Sequence, residues 1–327
     1  MNLRKMKSKI NVLITGVGST TAISVIKGLK KQTKYEIKII GTDIFQEDSI
    51  AGSKFCDKFF VVPPASNEPE YISKLLDVIN KESIDILIPI VDIELEIIAK
   101  NRIAFNNTFI LLSSYETIMR CNDKMNTYEF FNKYDLPTLK TISIQKNDNI
   151  NDKILDSDLK YPLITKPRNG VSSRDVYEIK NFRENALIRR VDNPILQEKG
   201  FGEEYTIDIF GDGEKLICAI PRKRIETRSG ISYKGRTVKN SKLWNFSNII
   251  YNELKFMGPA NIQCFINNGE VKFFDINPRF SGGLPLTIAA GINTPLLGIE
   301  LYLSEEIEPI NNFKEISMCR YWEEIFY

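Results

Sequence analysis

The sequence predicts a mixed architecture, in which an open, mostly parallel α/β sheet is followed by a region of helices and paired strands. Short apolar runs alternate with amphipathic helical segments up to about residue 112, as expected for a mostly parallel sheet. Beyond that point, paired apolar runs are joined by glycine-containing turns, which is typical of antiparallel strands. With 327 residues, no internal repeat and no low-complexity linker, the chain is long enough for two or three domains.

The composition narrows the possible chemistry. The chain contains no histidine, which excludes Ser-His-Asp and Cys-His catalysis, histidine general bases and most catalytic zinc sites. Scattered cysteines predict buried reduced thiols rather than a zinc site or a disulfide framework. They are Cys56, Cys121, Cys218, Cys264 and Cys319. Any catalysis must therefore use Lys, Arg, carboxylates, amides, backbone groups and a hard metal ion.

The charge and the apolar runs predict a cytoplasmic protein. A net charge of +2 is too small for a nucleic-acid-binding field. No apolar run approaches the roughly 20 residues that a membrane span requires. The start of the chain is basic, but the apolar run at residues 10–14 is too short for a signal peptide and leads directly into a glycine turn.

The first element is a βαβ unit. A strand at 11–15 leads through Gly16 and Gly18 into a helix that extends to about Leu29, and a second strand at 37–43 ends in Asp43. Such a turn can hold an anion at the helix N-terminus. A dinucleotide is one candidate ligand, although Thr21 stands where the third glycine of that pattern belongs. A small bound carboxylate and a purely structural turn are the other interpretations.

The alternation of strands and helices continues to about residue 112. Strands are predicted at 59–63, 84–90 and 109–112, with a helix from about Pro69 to Lys81. Asp92 and Glu94 follow a strand end, where open α/β sheets place ligand-binding groups. A solvated helix start would explain the same two acids equally well.

A new part begins with the pattern Ser113 to Glu116, which matches a capping box that opens a helix. That helix is expected to include Lys124, and the next helix to extend to about Tyr134. A polar loop at 146–160 precedes a strand that ends with Lys166 and a Gly/Ser loop at 169–174. Loop N–H groups and a lysine can bind phosphate, although a surface hairpin would look the same.

The following segments add two further polar patches. A strand ends at Gln197 and Glu198, a glycine linker follows, and another strand starts at Glu204. The backbone of this linker could contact the edge of an adenine, and Glu204 could bind a ribose hydroxyl. Alternatively, the linker and Glu204 belong to a plain hairpin with polar ends. Further on, the segment 222–232 is rich in basic residues and begins with Arg222. It is either a solvated face or a patch that receives an anionic substrate or a γ-phosphate.

The segment 258–283 predicts a β-hairpin that carries a metal site. We expect a three-residue loop, Asn267 to Gly269, which pairs Gln263 with Phe273 and sets Asp275 diagonally beside Gln263 on one face. Asn277 then joins that face. One carboxylate and two amides, followed by Arg279, suit Mg²⁺ that carries nucleotide phosphates. An ordinary polar strand end is the alternative.

The order of these motifs resembles the ATP-grasp superfamily, most closely the stand-alone relatives of the carbamoyl phosphate synthetase large chain and the amino-acid (carboxylate-amine) ligases. The resemblance covers about residues 11–305, and its most specific part is the run from Phe274 to Gly283. It implies a pre-ATP-grasp α/β domain (1–112) followed by a two-lobed α+β ATP-grasp fold. Its N-terminal lobe would span 113–192 and its C-terminal lobe 193–327.

The resemblance also implies roles for individual residues. Lys124 and Lys166 would contact ATP phosphates under a lid at 169–174, and Glu204 would bind the ribose. The backbone of Gln197, Glu198, Lys199 and Gly200 would meet the adenine. Gln263, Asp275 and Asn277 would hold Mg²⁺, and the short Asp275 favours one ion over the two that many members bind. Arg279, Lys166 and Arg222 would act on the transferring phosphate and the substrate.

The implied function is an ATP-dependent carboxylate-amine ligase that forms an amide through an acyl phosphate. Two alternatives stay open: a bicarbonate-phosphorylating enzyme similar to carbamoyl phosphate synthetase, and a non-catalytic ATP-binding subunit. The expected partners are a small carboxylate and a small amine, with a homodimer possible. Specificity is expected in the 222–232 segment, the Ser281–Gly283 turn and the two acids Asp92 and Glu94. The aromatic C-terminus (319–327) is expected to pack on the core as a strand.

Overall fold

The computed structural model describes residues 9–170 and 175–327 of the chain. The N-terminal domain, residues 9–112, is a five-stranded sheet in the order β3-β2-β1-β4-β5, with every neighbouring pair parallel. Its strands are β1 (Lys9–Ile14), β2 (Glu36–Asp43), β3 (Lys58–Val61), β4 (Ile86–Ile88) and β5 (Phe109–Ile110), and its helices α1 (Thr20–Lys31), α2 (Glu68–Glu82) and α3 (Asp92–Lys100). The predicted open parallel α/β sheet is confirmed.

The middle lobe is a four-stranded antiparallel sheet in the order β6-β9-β7-β8. Its elements are β6 (Thr141–Ser143), α6 (Ile150–Asp156), β7 (Leu163–Pro167), β8 (Tyr177–Ile179) and β9 (Pro194–Glu198), and two helices precede it, α4 (Tyr115–Asn122) and α5 (Lys124–Lys133). The cap of α4 is Ser114, whose side chain accepts from the N–H of Thr117, rather than the expected Ser113. Asp123 ends α4 and caps α5, so Lys124 opens the second helix instead of lying in the first.

The C-terminal lobe is a six-stranded antiparallel sheet in the order β14-β13-β10-β11-β12-β15. Its elements are β10 (Glu203–Asp212), β11 (Leu216–Arg228), β12 (Ile231–Thr237), α7 (Ser241–Leu254), β13 (Met257–Asn267), β14 (Glu270–Asn277), α8 (Leu284–Ala289), α9 (Thr294–Tyr302) and β15 (Ser317–Cys319). Strand alternation divides its faces: Ile207 and Ile209 are buried in the core, whereas Thr206 faces the opposite side, toward a cleft.

The hairpin between β13 and β14 differs from the predicted one. Its turn has two residues, Asn268 and Gly269, both with positive φ (50° and 82°), and Asn267 pairs with Glu270. The three-residue loop was therefore wrong, as was the pairing of Gln263 with Phe273. A β-bulge at Phe274 inserts one extra residue into β14 and restores the alternation, so Gln263 pairs directly with Asp275. Gln263 and Asp275 therefore share a face, as predicted, but the cause is the bulge at Phe274 and not a three-residue loop.

A single hydrophobic core joins the N-terminal domain to the C-terminal lobe. Val12 and Ile14 of β1 belong to the same buried cluster as Ile217 of β11 and Leu297 of α9. The middle lobe instead has a small core of its own, which includes Ile154, Leu163 and Leu196. The N-terminal domain and the C-terminal lobe are thus packed together, and the middle lobe is attached as a separate layer.

The expected domain bounds differ from this packing in two places. Strand β9 pairs with β6 and β7, so the sheet of the middle lobe continues to Glu198, past the expected boundary at 192. Helix α5 packs on the C-terminal lobe, where Phe131 and Phe273 have ring centroids 5.5 Å apart. The three-part division of the chain remains a proposal with these two adjustments.

The C-terminal segment and one cysteine also differ from expectation. Only 317–319 form a strand, and Tyr321, Trp322 and Phe326 are exposed, so the prediction that the aromatic end packs on the core was wrong. All five cysteines are free: Cys121, Cys218 and Cys264 are buried, whereas Cys56 is half-buried and Cys319 is exposed. Over the described ranges, no helix is both long and apolar enough to cross a membrane.

Candidate active site

A cleft of about 930 Å³ lies where the three parts of the chain meet. Every residue predicted for the site lines this cleft. These are Lys124, Lys166, Gln197, Glu198, Lys199, Gly200, Glu204, Arg222, Gln263, Asp275, Asn277 and Arg279. The N-terminal domain contributes Asp92 and residues 19–21, which directly follow the glycine turn. The fold therefore brings together side chains that are far apart in the sequence, such as Asp92 and Arg279, which are 187 positions apart.

The floor of the cleft is a row of polar residues across four strands. Asp275 of β14 pairs with Gln263 of β13, Gln263 pairs with Thr206 of β10, and Thr206 pairs with Arg222 of β11. Directly paired residues present their side chains on the same face of a sheet. With neighbouring strands about 4.8 Å apart, the row extends roughly 14 Å from a carboxylate to a guanidinium. One end therefore suits a cation and the other an anion.

Two of the three predicted metal residues, Asp275 and Asn277, are joined by a hydrogen bond, and Gln263 lies opposite Asp275 on the neighbouring strand. The Asn277 amide donates to Asp275 Oδ2 and to Asn261 Oδ1, each at 3.3 Å. Asn261 pairs with Asn277 across the hairpin, so it adds a further amide that the sequence reasoning missed. A carboxylate with amide oxygens is a hard donor set that fits Mg²⁺ completed by water and phosphate oxygens. The residues present therefore fit the predicted ion.

Lys166 lies at the buried end of the middle lobe. Its ammonium donates to Gln197 Oε1 at 2.9 Å, and the Gln197 amide donates to Thr141 Oγ1 at 2.8 Å. Gln197 therefore positions the lysine through its side chain, beyond the backbone role expected for it. Burial lowers the pKa of Lys166 to about 8, with the Asp275 carboxylate opposing the shift and Lys124 adding to it. The protonated lysine is a charge with no carboxylate bound to it, available for an anion.

Lys124 lies beside the loop that follows Lys166. Its ammonium donates to the carbonyl of Gly170 at 2.9 Å, and its backbone N–H donates to the carbonyl of Arg168. Arg168 is held in turn by Asp123, at 2.7 Å. The lid predicted at 169–174 falls largely outside the described residues, because 171–174 are not among them.

The linker between β9 and β10 differs from the expected arrangement in its side chains. Glu198 is paired with Lys272 at 2.7 Å, and Lys199 with Glu178 at 2.9 Å. Gly200 lies on the ring of Phe265: a Cβ at Gly200 would be 2.1 Å from Phe265 Cδ2. The linker is thus packed against an aromatic wall at this end of the cleft, and glycine is required there for space.

Glu204, predicted for a ribose, already has a cationic partner. Arg224 contacts its carboxylate at 2.5 Å, and burial raises the pKa of Glu204 while Arg224 opposes that shift. Ribose binding by Glu204 would have to share the carboxylate with this arginine. From the sequence, Arg224 belongs to a basic segment that is either a solvated face or an anion-binding patch; in the structure its side chain is buried beside Glu204.

Arg222 is also buried rather than solvated. Its Nε and Nη2 donate to the two oxygens of Asp208, at 2.9 and 2.6 Å, and Nη2 donates to Ser281 Oγ at 2.8 Å. Gly283 makes room for its remaining nitrogen, because a Cβ at Gly283 would be 1.8 Å from Nη1. Asp208 was missed as a functional residue, and only its alternation with Thr206 along β10 could have indicated it.

Arg279 is held by a carboxylate from another domain. Its Nε and Nη2 donate to the two oxygens of Asp92 at 2.7 and 3.0 Å, and Nη1 donates to the carbonyl of Phe280. The sequence reasoning left Arg279 free for the transferring phosphate. It also gave Asp92 a ligand-binding or solvated role, whereas the structure pairs the two residues.

The remaining N-terminal acids lie behind the cleft wall. Glu94 is buried, and burial raises the pKa of its carboxyl to about 7, with Thr15 and Tyr71 opposing the shift. The Asp43 carboxylate accepts from the N–H of Gly18 at 2.8 Å. In the glycine turn, therefore, Asp43 occupies a group that a dinucleotide phosphate would need, which favours the structural interpretation of that turn.

The charged groups that line the cleft separate into two sets. Most are ion-paired: Asp92 with Arg279, Glu198 with Lys272, Glu204 with Arg224, Lys199 with Glu178, and Arg222 with Asp208. Within the described ranges, only Asp275, Lys124 and Lys166 line the cleft without such a partner. One carboxylate and two lysines are thus left for a cation and an anion that the chain itself does not supply.

Comparison with known proteins agrees with this architecture. Residues 192–324 match the family model described as ATP-grasp in the biosynthetic pathway with Ter operon, and residues 12–112 match the PylC-like N-terminal domain. The parallel N-terminal sheet, the antiparallel sheets and the cleft between them are the arrangement that the ATP-grasp resemblance implied. The resemblance predicted from the sequence is confirmed, and the chain carries an ATP-grasp domain.

The matched proteins agree on this class. The carbamoyl phosphate synthase large chain of Clostridium acetobutylicum is 22% identical over 261 residues, covering 74% of this chain and 24% of the relative. The N5-carboxyaminoimidazole synthetase of Staphylococcus aureus, in complex with ADP, aligns with a TM-score of 0.76 at 18% identity, covering 96% and 82% of the two chains. The L-amino acid ligase of Bacillus licheniformis aligns with a TM-score of 0.68 at 16% identity, covering 93% and 78%.

These comparisons reach only part of the curated relatives. The chain spans 24% of the length of the first carbamoyl phosphate synthase it matches, about a quarter. The identities of the solved structures, at 18% and below for those named above, show the fold. The named matches are a carbamoyl phosphate synthase, an N5-carboxyaminoimidazole synthetase and an L-amino acid ligase, which agrees with the ligase class predicted from the sequence.

Proposed function

We propose that this protein is an ATP-dependent carboxylate-amine ligase. One observation carries the proposal: among residues 9–170 and 175–327, the cleft charges without an ion-pair partner are Asp275, Lys124 and Lys166, the residues predicted for the metal and the phosphates. A substrate carboxylate attacks the γ-phosphate of ATP and releases ADP. An amine then displaces phosphate from the acyl phosphate, loses a proton and forms an amide.

The metal end of the cleft would hold Mg²⁺ through Gln263, Asp275 and Asn277. When bound, this ion supplies positive charge to the phosphate oxygens of the nucleotide. Because Asp275 is the single carboxylate among these three residues, we propose one bound ion.

The chain's own residues then act by position and charge. Lys166, fixed by Gln197, and Lys124 neutralise phosphate oxygens, because phosphoryl transfer requires charge stabilisation rather than covalent help from side chains. Arg222 would orient the carboxylate, because its Nη1 lies at the cleft beside Gly283 while Asp208 holds the rest of its guanidinium. Such a mechanism is compatible with a chain that has no histidine.

A bicarbonate-phosphorylating enzyme is the second candidate, because the curated relatives are carbamoyl phosphate synthases. In that case bicarbonate takes the place of the organic carboxylate, and ADP release depends on bicarbonate alone or with an amine. The same cleft residues serve both reactions, so only the substrate separates the two candidates.

The test is a screen of acid and amine pairs for ADP and phosphate release, with bicarbonate as one of the acids. A ligase releases ADP only when both the acid and the amine are present. Release with bicarbonate and no organic acid would favour the second candidate. Tight binding of Mg·ATP without release in any combination would point to a non-catalytic ATP-binding subunit instead.

Lys166→Ala is the matched negative control. It should remain folded and lose roughly 10²- to 10³-fold in turnover, by analogy with the removal of one charge-stabilising donor. Full ADP release by this variant would overturn the role given to Lys166.

A further inference from the structure

Arg279 has little hydrogen-bonding capacity left for a phosphate. A guanidinium has five N–H groups. Two of them donate to Asp92, one to the carbonyl of Phe280 and one, at 3.5 Å, to Asn277 Oδ1. A single N–H on Nη1 remains, and the neighbouring Nη2 contacts the side-chain oxygen of Asn277, a predicted metal residue. The hydrogen bonds to Asp92, Phe280 and Asn277 therefore determine the orientation of the one N–H that Arg279 can still donate to a ligand.

The same arrangement holds Arg222. Asp208 takes the Nε–Nη2 edge of Arg222, just as Asp92 takes that edge of Arg279. In both cases a carboxylate holds the Nε–Nη2 edge of a cleft arginine and leaves Nη1 without a carboxylate partner. The difference is in the origin of the carboxylate: Asp208 lies on the strand next to Arg222, whereas Asp92 opens α3 of the N-terminal domain.

The Asp92–Arg279 pair is well placed to fix a side chain. Both side chains are mostly buried, with 15% of Asp92 and 20% of Arg279 exposed. Two parallel charge-assisted hydrogen bonds fix the plane of a guanidinium as well as its position. A surface ion pair would not do this, because solvent and salt weaken it.

We propose that Asp92 is a positioning residue for Arg279, through which the N-terminal domain completes the phosphate end of the cleft. This inference rests on the proposed function, since it assumes that the γ-phosphate of ATP lies near Arg279. Asp92 itself does not touch the nucleotide. It keeps the free N–H of Arg279 directed toward the γ-phosphate, so only ligands that carry this phosphate should respond to its loss.

The test compares the binding of two nucleotides by calorimetry in the presence of Mg²⁺: ADP, and an ATP analogue with a non-hydrolysable bond to its γ-phosphate. Asp92→Asn keeps the shape of the side chain but offers only one acceptor oxygen. It should weaken binding of the analogue by roughly tenfold, the effect of one charge-assisted hydrogen bond, and leave ADP within about twofold. Asp92→Glu restores two acceptor oxygens and should recover most of the affinity for the analogue.

A double variant tests whether Asp92 acts through Arg279. Arg279→Ala should lose the same affinity for the analogue, and Asp92→Asn combined with Arg279→Ala should lose no more than Arg279→Ala alone. A matched control is Glu300→Gln, which removes one of the two ion pairs that Lys34 makes with the C-terminal lobe, at 3.0 Å and away from the cleft, and leaves the pair with Glu305. This control should leave both affinities unchanged.

Three results would overturn the proposal. Equal losses for ADP and the analogue would mean that Asp92 only supports the fold. Tighter binding of the analogue by Asp92→Asn would mean that Asp92 competes with the phosphate for Arg279. Additive losses in the double variant would mean that Asp92 acts independently of Arg279. Failure of the wild-type protein to bind either nucleotide would instead overturn the proposed function itself.

Discussion

The protonation state of a single side chain, Lys166, should determine how nucleotide binding depends on pH. Burial lowers its pKa to about 8, so the free protein loses this positive charge as the pH rises through 8. A phosphate requires the protonated form, and affinity should therefore fall with rising pH. Between pH 7 and pH 9, we expect the dissociation constant of Mg·ADP to increase by about tenfold.

Lys166→Arg is the control for this prediction, since arginine stays protonated over the same range. Its binding of Mg·ADP should be nearly independent of pH from 7 to 9, as measured by calorimetry. An equal decrease in the variant would show that another group causes the pH dependence.

Glu94 should make the protein less stable at neutral than at acidic pH. Its pKa in the fold is raised to about 7, so the folded state retains a proton that the unfolded chain has already lost. The free energy of unfolding should therefore decrease as the pH rises from about 4 to about 7. Glu94→Gln removes this penalty and should stabilise the protein at pH 8 by up to about 3 kcal/mol, with no gain at pH 4.

Chemical denaturation at the two pH values measures this difference. Glu96→Gln, a half-buried acid on the same helix, is the matched control and should change neither value by much. A gain that is the same at both pH values would contradict the ionisation argument.

The candidate site residues could be named from the sequence, whereas their ion-pair partners could not. Asp275 and Asn277 share a face by strand alternation, which is a local rule. The pairs Asp92 with Arg279 and Glu204 with Arg224 join distant positions, and no local pattern specifies them. Solvent exposure could not be predicted either, because a run of basic residues in the sequence does not indicate that Arg222 is buried.

At the scale of a single element, the β13–β14 hairpin has the predicted shared face although its turn was predicted incorrectly. The hairpin of β13 and β14 was predicted with the wrong turn, yet Gln263 and Asp275 share a face because a bulge at Phe274 compensates. Turn residues such as Asn-Gly can be recognised in a sequence. A bulge depends on how the whole strand packs, so it could not be predicted from the residues around it.

The close contact between Gly283, in the turn before α8, and the Arg222 side chain gives a prediction about activity. Gly283 has φ of −92°, which alanine tolerates, but the added Cβ would lie 1.8 Å from Arg222 Nη1. Gly283→Ala should therefore displace Arg222 and lower the rate of ADP release by at least roughly tenfold while the protein stays folded. Assays with the substrates found in the screen, together with thermal melting, would check this.

Gly282→Ala is the neighbouring control. Its Cβ would meet only the side chain of Ile231, at 3.2 Å, which can adjust. Its activity should remain close to that of the wild type. Equal losses in the two variants would show that the turn, rather than Arg222, is being disturbed.

For the whole molecule, the division of the core predicts which part responds to the nucleotide. The middle lobe has a small separate core and supplies Lys166 and Gln197, whereas the other two parts share one core. Mg·ADP should therefore reduce amide hydrogen exchange most strongly in β6–β9, and much less in β1 and β4. Hydrogen-exchange mass spectrometry with and without Mg·ADP would measure this, and strong new protection confined to the N-terminal sheet would contradict it.

The class of fold was predictable for the whole molecule, because each part has its own period of apolar residues. The association of the parts was not. Nothing in the alternation of residues indicates that α5 packs behind the C-terminal sheet, or that β9 completes the sheet of the middle lobe. These arrangements depend on which apolar faces meet after the elements have formed.

The shared core has a consequence for anyone who recombines ligases of this class. Helix α1 packs directly on α8 and α9: the Asn293 amide donates to the carbonyl of Gly28, and a Cβ at Gly28 would lie 2.9 Å from Ile288 and 3.2 Å from Pro295. A chimera joined at residue 112 would separate these matched surfaces although the join falls between two folded regions. Exchange of the N-terminal domain should yield a folded hybrid only when residues 284–302 are exchanged with it, because the two segments were shaped against each other.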